Sequence, residues 1–284
     1  MSVEFLWWSE VDSRTAQGEN MSLWQSVWLG VVQGISEFIP ISSSGHLVVM
    51  RAVMGIGEIP LLYDVVLHIA TLIVVVVFFR ARILLMLGSL YRFARRAHGV
   101  EDAENLKLTA LVLIATVLTA VVGLAMSRLD LHLFPKLVSF MFLVTAALLI
   151  SARFSRGALD YSGIGKRHAI ILGIVQGLAV IPGISRSGST ITAALHSGIS
   201  RQQAGEFSFL ISVPAILGAL ILEMRHFGEL GVAVPPAAMA GGFAASLVFG
   251  FLSLSLLVRL IHGGKLWVFS VYLIPLGVWG LLAL

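Results

Sequence analysis

Apolar residues run in long stretches through most of this chain, and polar residues are concentrated in the short segments between them. A helix of about 20 apolar residues is long enough to cross the ~30 Å hydrocarbon core of a bilayer. Stretches of that length occur six times and predict six transmembrane helices. They are residues 61–80, 105–127, 134–152, 201–223, 236–259 and 265–284.

Two further apolar segments, residues 22–54 and 166–198, are interrupted in the middle by proline, serine and glycine. They share a repeat at an offset of 143 residues: LGVVQGISEFIPISSSGHL begins at Leu29, and LGIVQGLAVIPGISRSGST begins at Leu172. Proline removes a backbone donor and disfavours helix at the residue before it. Non-helical backbone at membrane depth is tolerated only inside protein or beside a water-filled cavity. Each segment is therefore predicted to form a re-entrant helical hairpin.

The repeat predicts two related halves, residues 21–157 and 158–284, which together form one membrane domain. Each half contains one hairpin and three transmembrane helices, and the charged stretch 92–104 is an insertion in the first half. Because three is odd, the second half enters the membrane upside down, which makes an inverted-topology repeat. The predicted fold is an all-α integral membrane protein whose two hairpin tips meet. A polar tail, residues 1–20, precedes the repeat, and the sequence leaves open whether Met1 or Met21 is the native start.

Composition supports a membrane protein and excludes a soluble one, since 58% of the residues are hydrophobic and 12% are charged. The net charge of +4 does not indicate nucleic-acid binding. The basic residues lie in loops between apolar segments, where the orientation of a membrane protein explains them. The absence of cysteine excludes disulfide bonds and thiolate metal sites. The sequence is compatible with a homodimer but does not fix the oligomeric state.

Most of the 19 Lys and Arg residues lie around 80–107, 153–168, 201 and 259–265. Placing these segments on the cytoplasmic side satisfies the positive-inside rule. It puts both termini outside, with the first hairpin entering from the outside and the second from the cytoplasm. The amphipathic segment 82–96 is predicted to lie along the inner membrane surface, and a solvated loop helix is the alternative.

The candidate chemistry lies where the two repeats differ. The first contributes Glu37, Ser43 and His46, and the second contributes Arg186. A glutamate among apolar residues is costly in a membrane unless it meets a cation, a proton or a polar cavity. An imidazole near a hydroxyl can act as general base or nucleophile, and a guanidinium binds phosphate through paired hydrogen bonds. A structural bridge from Arg186 to Glu37 is the alternative, and both roles hold if the bridge forms without ligand.

Other polar residues of the repeats are candidate substrate ligands, because the serine- and glycine-rich breaks start helices whose N-termini attract anions. These candidates are Gln33, Ser42, Ser44, Ser185, Ser187, Gly188 and Thr190. Gln33 lies one helical turn from Glu37, but Gln176 repeats it, so helix packing is an equal alternative for both glutamines.

Polar residues outside the repeats receive less weight. Asp64 and His68, four residues apart near the outer end of the first span, are interpreted as structural, and Glu206 is left open between structure and function. The sequence has no HExxH motif, no cluster of histidine ligands and no P-loop, which gives little support to a metalloprotease or a nucleotide-driven pump.

The motifs of the two repeats resemble those of a known family. The segments QGISE, PISSSGH and PGISRSGST at residues 33–37, 40–46 and 182–190 are similar to the signatures of the undecaprenyl pyrophosphate phosphatase family, also called the bacitracin-resistance protein family. The resemblance covers residues 21–284. It implies a multi-pass hydrolase of the bacterial inner membrane that converts undecaprenyl pyrophosphate to undecaprenyl phosphate and inorganic phosphate at a site facing the periplasm. That reaction recycles the lipid carrier for cell-wall synthesis and gives bacitracin resistance.

The resemblance also implies a divalent cation, Mg²⁺ or Ca²⁺, and an activity that depends on the residues matching Glu37, Ser43, His46 and Arg186. Glu37, with Gln33, is then the candidate metal ligand. Some family members carry glutamate at the position of Gln33, so a metal role through charge is weaker here. The nucleophile is open between Ser43, activated by His46, and His46 itself, and the preferred lipid length is open too.

Two rival functions fit parts of the sequence. A polyprenyl-phosphate flippase or transporter explains the inverted repeat and uses the same residues for binding. A phosphatase of the phosphatidic-acid type shares short Ser-Gly-His and Ser-Arg fragments, but the chain lacks the Lys-x₆-Arg-Pro element of that family. Release of phosphate in detergent, where there is no vectorial step, separates the hydrolase from the transporter.

Overall fold

The computed structural model describes residues 21–56, 61–129, 135–155, 157–223 and 234–283. The predicted polar tail, residues 1–20, lies outside these ranges. Within them the chain is helical, and its extended pairing is a single bridge between Leu159 and Ile199. The α-helices in chain order are α1 (Leu23–Phe38), α2 (Ser43–Val53), α3 (Leu61–Phe78), α4 (Arg80–Ala94), α5 (Ala103–Ser127), α6 (Pro135–Ser151), α7 (Lys166–Leu178), α8 (Arg186–His196), α9 (Arg201–Glu223), α10 (Pro236–His262) and α11 (Ser270–Ala283).

Five helices of the described part, α5, α6, α9, α10 and α11 with their short flanking turns, are long and apolar enough to cross a membrane. A sixth span results if α3 and α4, which meet at an angle of 79°, count as one broken span. Each predicted span coincides with one of these helices. The prediction of an all-α integral membrane protein is confirmed.

Helix α5 shows how the bundle separates its lipid-facing and protein-facing surfaces. Leu113 and Val117, one turn apart, are 57% and 62% exposed. The opposite face carries Ala115, Thr119 and Gly123, which are buried. Because lipid is as apolar as a leucine side chain, large residues face outward, and small residues at the contacts let helix backbones approach closely.

Both interrupted segments form a helix, a break and a second helix. The second helices, α2 and α8, occupy residues 43–53 and 186–196, which are related by the repeat offset. Helix α1 packs along α10, where Gly34 lies so close to Ser246 and Gly250 that an added Cβ would be 2.6 Å and 2.7 Å from their backbone atoms. Glycine is therefore required at this crossing.

The second hairpin repeats this packing with the halves exchanged. Helix α7 packs along α5, and a Cβ added to Gly173 would lie 2.6 Å from the carbonyl oxygen of Ala115. Two further contacts correspond to each other in the two halves, that of α3 with α10 and that of α9 with α5. In addition, α6 packs on α11, and α3 packs on α9. Each hairpin is thus supported by the opposite half. The inverted orientation of the halves in a membrane stays a prediction.

Helix α4 follows α3 and has no counterpart after α9 among the described residues. It is mostly exposed and buries Met86 and Ser89. Asp102, at the start of α5, accepts hydrogen bonds from Arg92 and Ser89 and so ties α4 to α5. The additional segment begins at residue 80, before the charged stretch 92–104 that the sequence marks as an insertion. Its position along the membrane surface stays a prediction.

Candidate functional site

The first hairpin tip turns sharply after α1. Pro40 cannot continue the helix, and Ser42 takes a left-handed backbone conformation with φ +73°, which is strained for a residue other than glycine. This turn brings Ser43, the first residue of α2, back to Glu37 in the last turn of α1. The Ser43 hydroxyl donates a hydrogen bond to Glu37 Oε2 at 2.9 Å.

The second hairpin tip is held by its own cap and by α6. Gly183 supplies the left-handed conformation here, with φ +92°. Ser185 caps α8, since its hydroxyl accepts a hydrogen bond from the Gly188 N–H at 3.1 Å. The Thr145 hydroxyl accepts from the Ser185 N–H at 3.1 Å and donates to the Gly183 carbonyl at 3.0 Å. Arg186, the first residue of α8, therefore extends from a helix start that these hydrogen bonds hold in place.

The two tips meet. The Ser187 hydroxyl donates to the backbone carbonyl of Phe38 at 3.1 Å, and Arg186 Nη2 donates to Glu37 Oε1 in a buried ion pair. The side chain of Glu37 is 5% exposed and that of Arg186 is 19% exposed. Residues of the two repeats are therefore in direct contact at the hairpin tips.

Glu37 is the centre of the cluster. Its Oε2 atom accepts from Ser43 and from Gln33 Nε2, the latter at 3.2 Å, and it lies 3.5 Å from His68 Nε2. Arg186 Nη1 and Gln33 Oε1 are buried without a hydrogen-bond partner among the described residues. Buried polar atoms normally have partners, so an unpaired donor and acceptor beside one carboxylate indicate room for a polar ligand.

His46 points away from this cluster. Its Nδ1–H donates to the Ser42 carbonyl at 2.8 Å, so the neutral ring presents Nε2 as an acceptor, and Nε2 lies 2.8 Å from the Tyr272 hydroxyl. The ring also contacts Phe142, with centroids 6.0 Å apart. The structure thus brings Ser43 to Glu37, and it does not bring Ser43 to His46.

The other predicted ligands shape the tips. The hydroxyl groups of Ser42 and Ser44 are 3.5 Å apart, and those of Ser185 and Ser187 are 3.3 Å apart. Thr190 donates to the Arg186 carbonyl at 2.8 Å and so stabilises the first turn of α8. In this state these groups serve caps and turns around the ion pair.

The two glutamines, which the sequence does not separate, have different partners in the structure. Gln176 donates to Thr119 and to the Ile211 carbonyl, at 3.1 Å and 3.2 Å, so it joins helices, whereas Gln33 joins the cluster. His68 was interpreted as structural, yet it faces Glu37. A signal was present: the repeat offset places Ile211 opposite His68, just as it places Val180 opposite Glu37.

Glu206, left open by the sequence, belongs to a different cluster. Arg82 Nε donates to Glu206 at 2.9 Å, and the Arg82 guanidinium lies 4.4 Å from the centre of the Tyr161 ring. This pair joins α4 to α9 and contributes nothing to the hairpin tips.

A preformed metal cage does not occur in the described part of the chain, where no three His, Cys, Asp or Glu residues come close enough to hold an ion. The hairpin tips offer the Glu37 carboxylate and the unpaired Gln33 Oε1. Mg²⁺ is commonly bound by one or two carboxylates together with substrate phosphates and water. The residues present therefore fit an ion that arrives with a phosphorylated substrate.

Comparison with known proteins gives a consistent picture. Residues 26–279 match the family described as bacitracin resistance protein BacA. The undecaprenyl-diphosphatase of Treponema denticola is 42% identical over 258 residues, which cover 91% of this chain and 96% of that protein. The undecaprenyl-diphosphatase of Desulfosudis oleivorans is 41% identical over 262 residues, with 89% and 95% covered, and that of Methanosphaera stadtmanae is 37% identical over 269 residues, with 91% and 96% covered.

Proposed function

This chain belongs to the bacitracin resistance protein BacA family, and from that premise we propose that it hydrolyses undecaprenyl diphosphate to undecaprenyl phosphate and inorganic phosphate. The reaction returns the lipid carrier to cell-wall synthesis and underlies resistance to bacitracin. The observation that carries the proposal is the junction of the hairpin tips, where Arg186 and the Ser43 hydroxyl bind one buried carboxylate, Glu37.

The Arg186–Glu37 bridge is the resting state of the site. A diphosphate carries more negative charge than a carboxylate and offers several oxygens to the planar guanidinium fork. Nη1 of Arg186 is already without a partner, so the terminal phosphate binds there first and then takes Nη2 from Glu37. Release from Arg186 leaves the Glu37 carboxylate able to accept a proton.

Ser43 is the nucleophile in this mechanism. Its oxygen attacks the terminal phosphorus while its proton passes to Glu37 Oε2, the atom to which it already donates. The bond from phosphorus to the bridging oxygen breaks, and its electron pair leaves with undecaprenyl phosphate, whose oxygen takes the proton from Glu37. The Glu37 carboxylate then takes a proton from water, whose oxygen attacks the phosphoserine phosphorus. Glu37 returns that proton to the Ser43 oxygen as inorganic phosphate is released. Arg186 and the N-terminus of α8 stabilise the charge on the transferred phosphoryl group.

A divalent cation, Mg²⁺ or Ca²⁺, completes the proposed site. Glu37 and Gln33 Oε1 would hold it together with oxygens of the diphosphate. When bound, it supplies positive charge that lowers the repulsion between the substrate and Glu37.

The proposed location is the bacterial inner membrane, with the site open to the periplasm and both termini outside. The distribution of Lys and Arg supports this orientation. The large exposed apolar residues on the long helices support a multi-pass membrane position.

The test is phosphate release from undecaprenyl diphosphate by purified protein in detergent, with and without Mg²⁺ or Ca²⁺. We expect release by the wild type and its loss in Glu37→Gln, Ser43→Ala and Arg186→Ala. Glu206→Gln is the matched control, because it removes a half-buried carboxylate that pairs with another arginine, away from the tips. Comparable activity in Glu37→Gln and Glu206→Gln would overturn the assignment of the site.

A flippase or transporter is not favoured by the comparisons, since the relatives named above are called diphosphatases. The detergent assay addresses it directly, because transport alone releases no phosphate. A protein that binds the lipid but releases no phosphate under any of these conditions would support the transporter instead.

A further inference from the structure

Charged residues continue from the hairpin tips along α3, beyond the cluster that the proposed mechanism uses. His68 lies beside Glu37, and Asp64 is one turn earlier on the same face of α3. Asp64 in turn forms an ion pair with Arg51 of α2. The alternation of charge therefore runs from Arg186 through Glu37 and His68 to Asp64 and Arg51.

The second half of the chain shows that the fold does not need polar groups at these positions. The repeat offset places Ala194, Phe207 and Ile211 opposite Arg51, Asp64 and His68. All three apolar counterparts are fully buried, so they serve as ordinary core residues. Charged residues inside a membrane are costly and usually mark a functional site. At these three positions, polar residues occur only in the half that contributes Glu37.

Arg51 keeps an unpartnered donor for a ligand, and the His68 ring is oriented toward the cluster. The His68 Nδ1–H donates to the Asp64 carbonyl at 2.7 Å, which fixes the ring so that Nε2 faces the cluster. Arg51 Nε is buried and has no partner among the described residues. The His68 side chain is 31% exposed, against 5% for Glu37, so the cluster becomes more accessible toward α3.

The two arginines are held in the same way. Asp64 holds Arg51 as Glu37 holds Arg186, each through one ion pair, with His68 between the two pairs. The second ion pair lies about 6 Å, one turn of α3, beyond His68. Two linked phosphoryl groups carry two sets of negatively charged oxygens, and of the two arginines in these ion pairs only Arg186 lies at the hairpin tips.

We propose that Arg51, together with His68 in its protonated form, binds the phosphate that stays on the lipid, while Arg186 binds the phosphate that leaves. The assignment rests on the proposed diphosphatase function. In this assignment the lipid headgroup enters at the outer end of α3, and each of the two products is bound by a different arginine.

The two products separate the two subsites experimentally. Inorganic phosphate competes for the subsite of the leaving group, and farnesyl phosphate, a short polyprenyl monophosphate, competes for the subsite of the retained phosphate. We expect Arg51→Ala to raise KM and the inhibition constant of farnesyl phosphate about 10- to 100-fold, the usual effect of losing a charged hydrogen-bond donor, and to leave that of inorganic phosphate unchanged. His68→Ala shifts the same constants in the same direction.

Two variants separate binding from a structural role. The exchange Arg51→Asp with Asp64→Arg keeps an ion pair between α2 and α3 but moves the guanidinium to the other helix. A structural role predicts recovery of the farnesyl phosphate constant in this double variant, whereas the proposed subsite predicts no recovery. Arg128→Ala, an exposed arginine at the end of α5, is the charge-matched control and leaves all constants unchanged.

Equal increases of both inhibition constants in Arg51→Ala, or a fall in kcat with both constants unchanged, would overturn the subsite. If the wild type releases no phosphate, the diphosphatase function fails, and equilibrium binding of farnesyl phosphate then decides the subsite alone. Equal affinity of the wild type and Arg51→Ala in that measurement would also overturn it.

Discussion

Glu37 is one carboxylate with four polar neighbours, and its behaviour depends on which of them a ligand removes. Arg186 neutralises it in the resting state, while Ser43 and Gln33 orient its second oxygen. A carboxylate held this way is a weak base until its arginine is taken by an anion. In the proposed mechanism, substrate binding therefore activates the nucleophile.

Arg186→Lys tests the guanidinium fork while keeping the charge. An ammonium group is a point charge and cannot offer two parallel donors to a pair of phosphate oxygens. We expect kcat/KM for phosphate release to fall about 100-fold, the effect of losing one preorganised donor to a developing charge. Near-normal turnover of a folded variant would contradict the role of Arg186 as a phosphate clamp.

The identity of the nucleophile is decided by the chemical stability of a trapped phosphoenzyme. Ser43 contacts the base Glu37, whereas His46 Nε2 faces Tyr272, so we expect a phosphoserine, which survives acid. A phosphohistidine is acid-labile. Quenching a radiolabelled turnover in acid and in alkali distinguishes the two, and an acid-labile adduct lost in His46→Ala would assign the reaction to His46.

Tyr272→Phe supplies the corresponding control at His46. The variant removes the hydroxyl that faces Nε2 and leaves the aromatic contact in place. Because His46 has no direct part in the proposed mechanism, we expect kcat to change less than about threefold. A large gain or loss of kcat would place His46 in the chemistry.

At the residue scale, the sequence predicts which residues form the cluster, but not which atoms contact each other within it. Glu37, Ser43 and Arg186 were identified from the differences between the repeats, Gln33 from its position one turn before Glu37, and the structure brings them together. The partner of Ser43 was not predictable, because the left-handed turn at Ser42 decides whether that hydroxyl meets Glu37 or His46. The position of His68 beside Glu37 was not predictable from its spacing with Asp64, because the contact depends on how α3 packs against α1.

At the element scale, the hairpins are held by close helix crossings that require glycine. Gly173→Ala should destabilise the protein, because the new methyl group would lie 2.6 Å from the Ala115 carbonyl oxygen and 2.9 Å from its Cα, which are backbone atoms. Overpacking of this kind costs about 1–3 kcal/mol. We expect Gly173→Ala to aggregate at a lower temperature than the wild type when both are heated in detergent.

Gly218→Ala in α9 is the matched control. A Cβ at this position would meet nothing within 4 Å, and alanine favours helix over glycine. We expect its aggregation temperature to equal or exceed that of the wild type. Equal behaviour of the two alanine variants would mean that the α5–α7 crossing relaxes without cost.

The helices themselves were largely predictable, because a membrane requires long apolar segments and prolines mark the breaks. A change of direction after residue 80 follows from the amphipathic segment 82–96 predicted to lie along the membrane surface, but the angle of 79° between α3 and α4 was not predictable. The pairing of α1 with α10 was not predictable from the sequence either. Such contacts depend on tertiary packing of small residues that also occur at many other positions.

At the scale of the whole molecule, the orientation can be read in intact cells. The chain contains no cysteine, so single cysteines can be introduced without a background. We expect Ser127→Cys to react with a membrane-impermeant maleimide from outside, and Ala97→Cys to react only after the cells are permeabilised. Both sites are exposed. The reverse pattern would overturn the predicted orientation and put the first hairpin on the cytoplasmic side.

The exchanged packing of the halves also sets the order in which the protein can be made. Helix α1 emerges first, but its partner α10 begins at Pro236, and the Ser26 hydroxyl bonds to the Ala238 carbonyl. At about 5–20 residues per second, roughly 10–40 s of synthesis separate the two. During that time the first hairpin lacks the helix on which most of α1 packs. It must wait, in the translocon or against a temporary partner, until about the last sixth of the chain arrives.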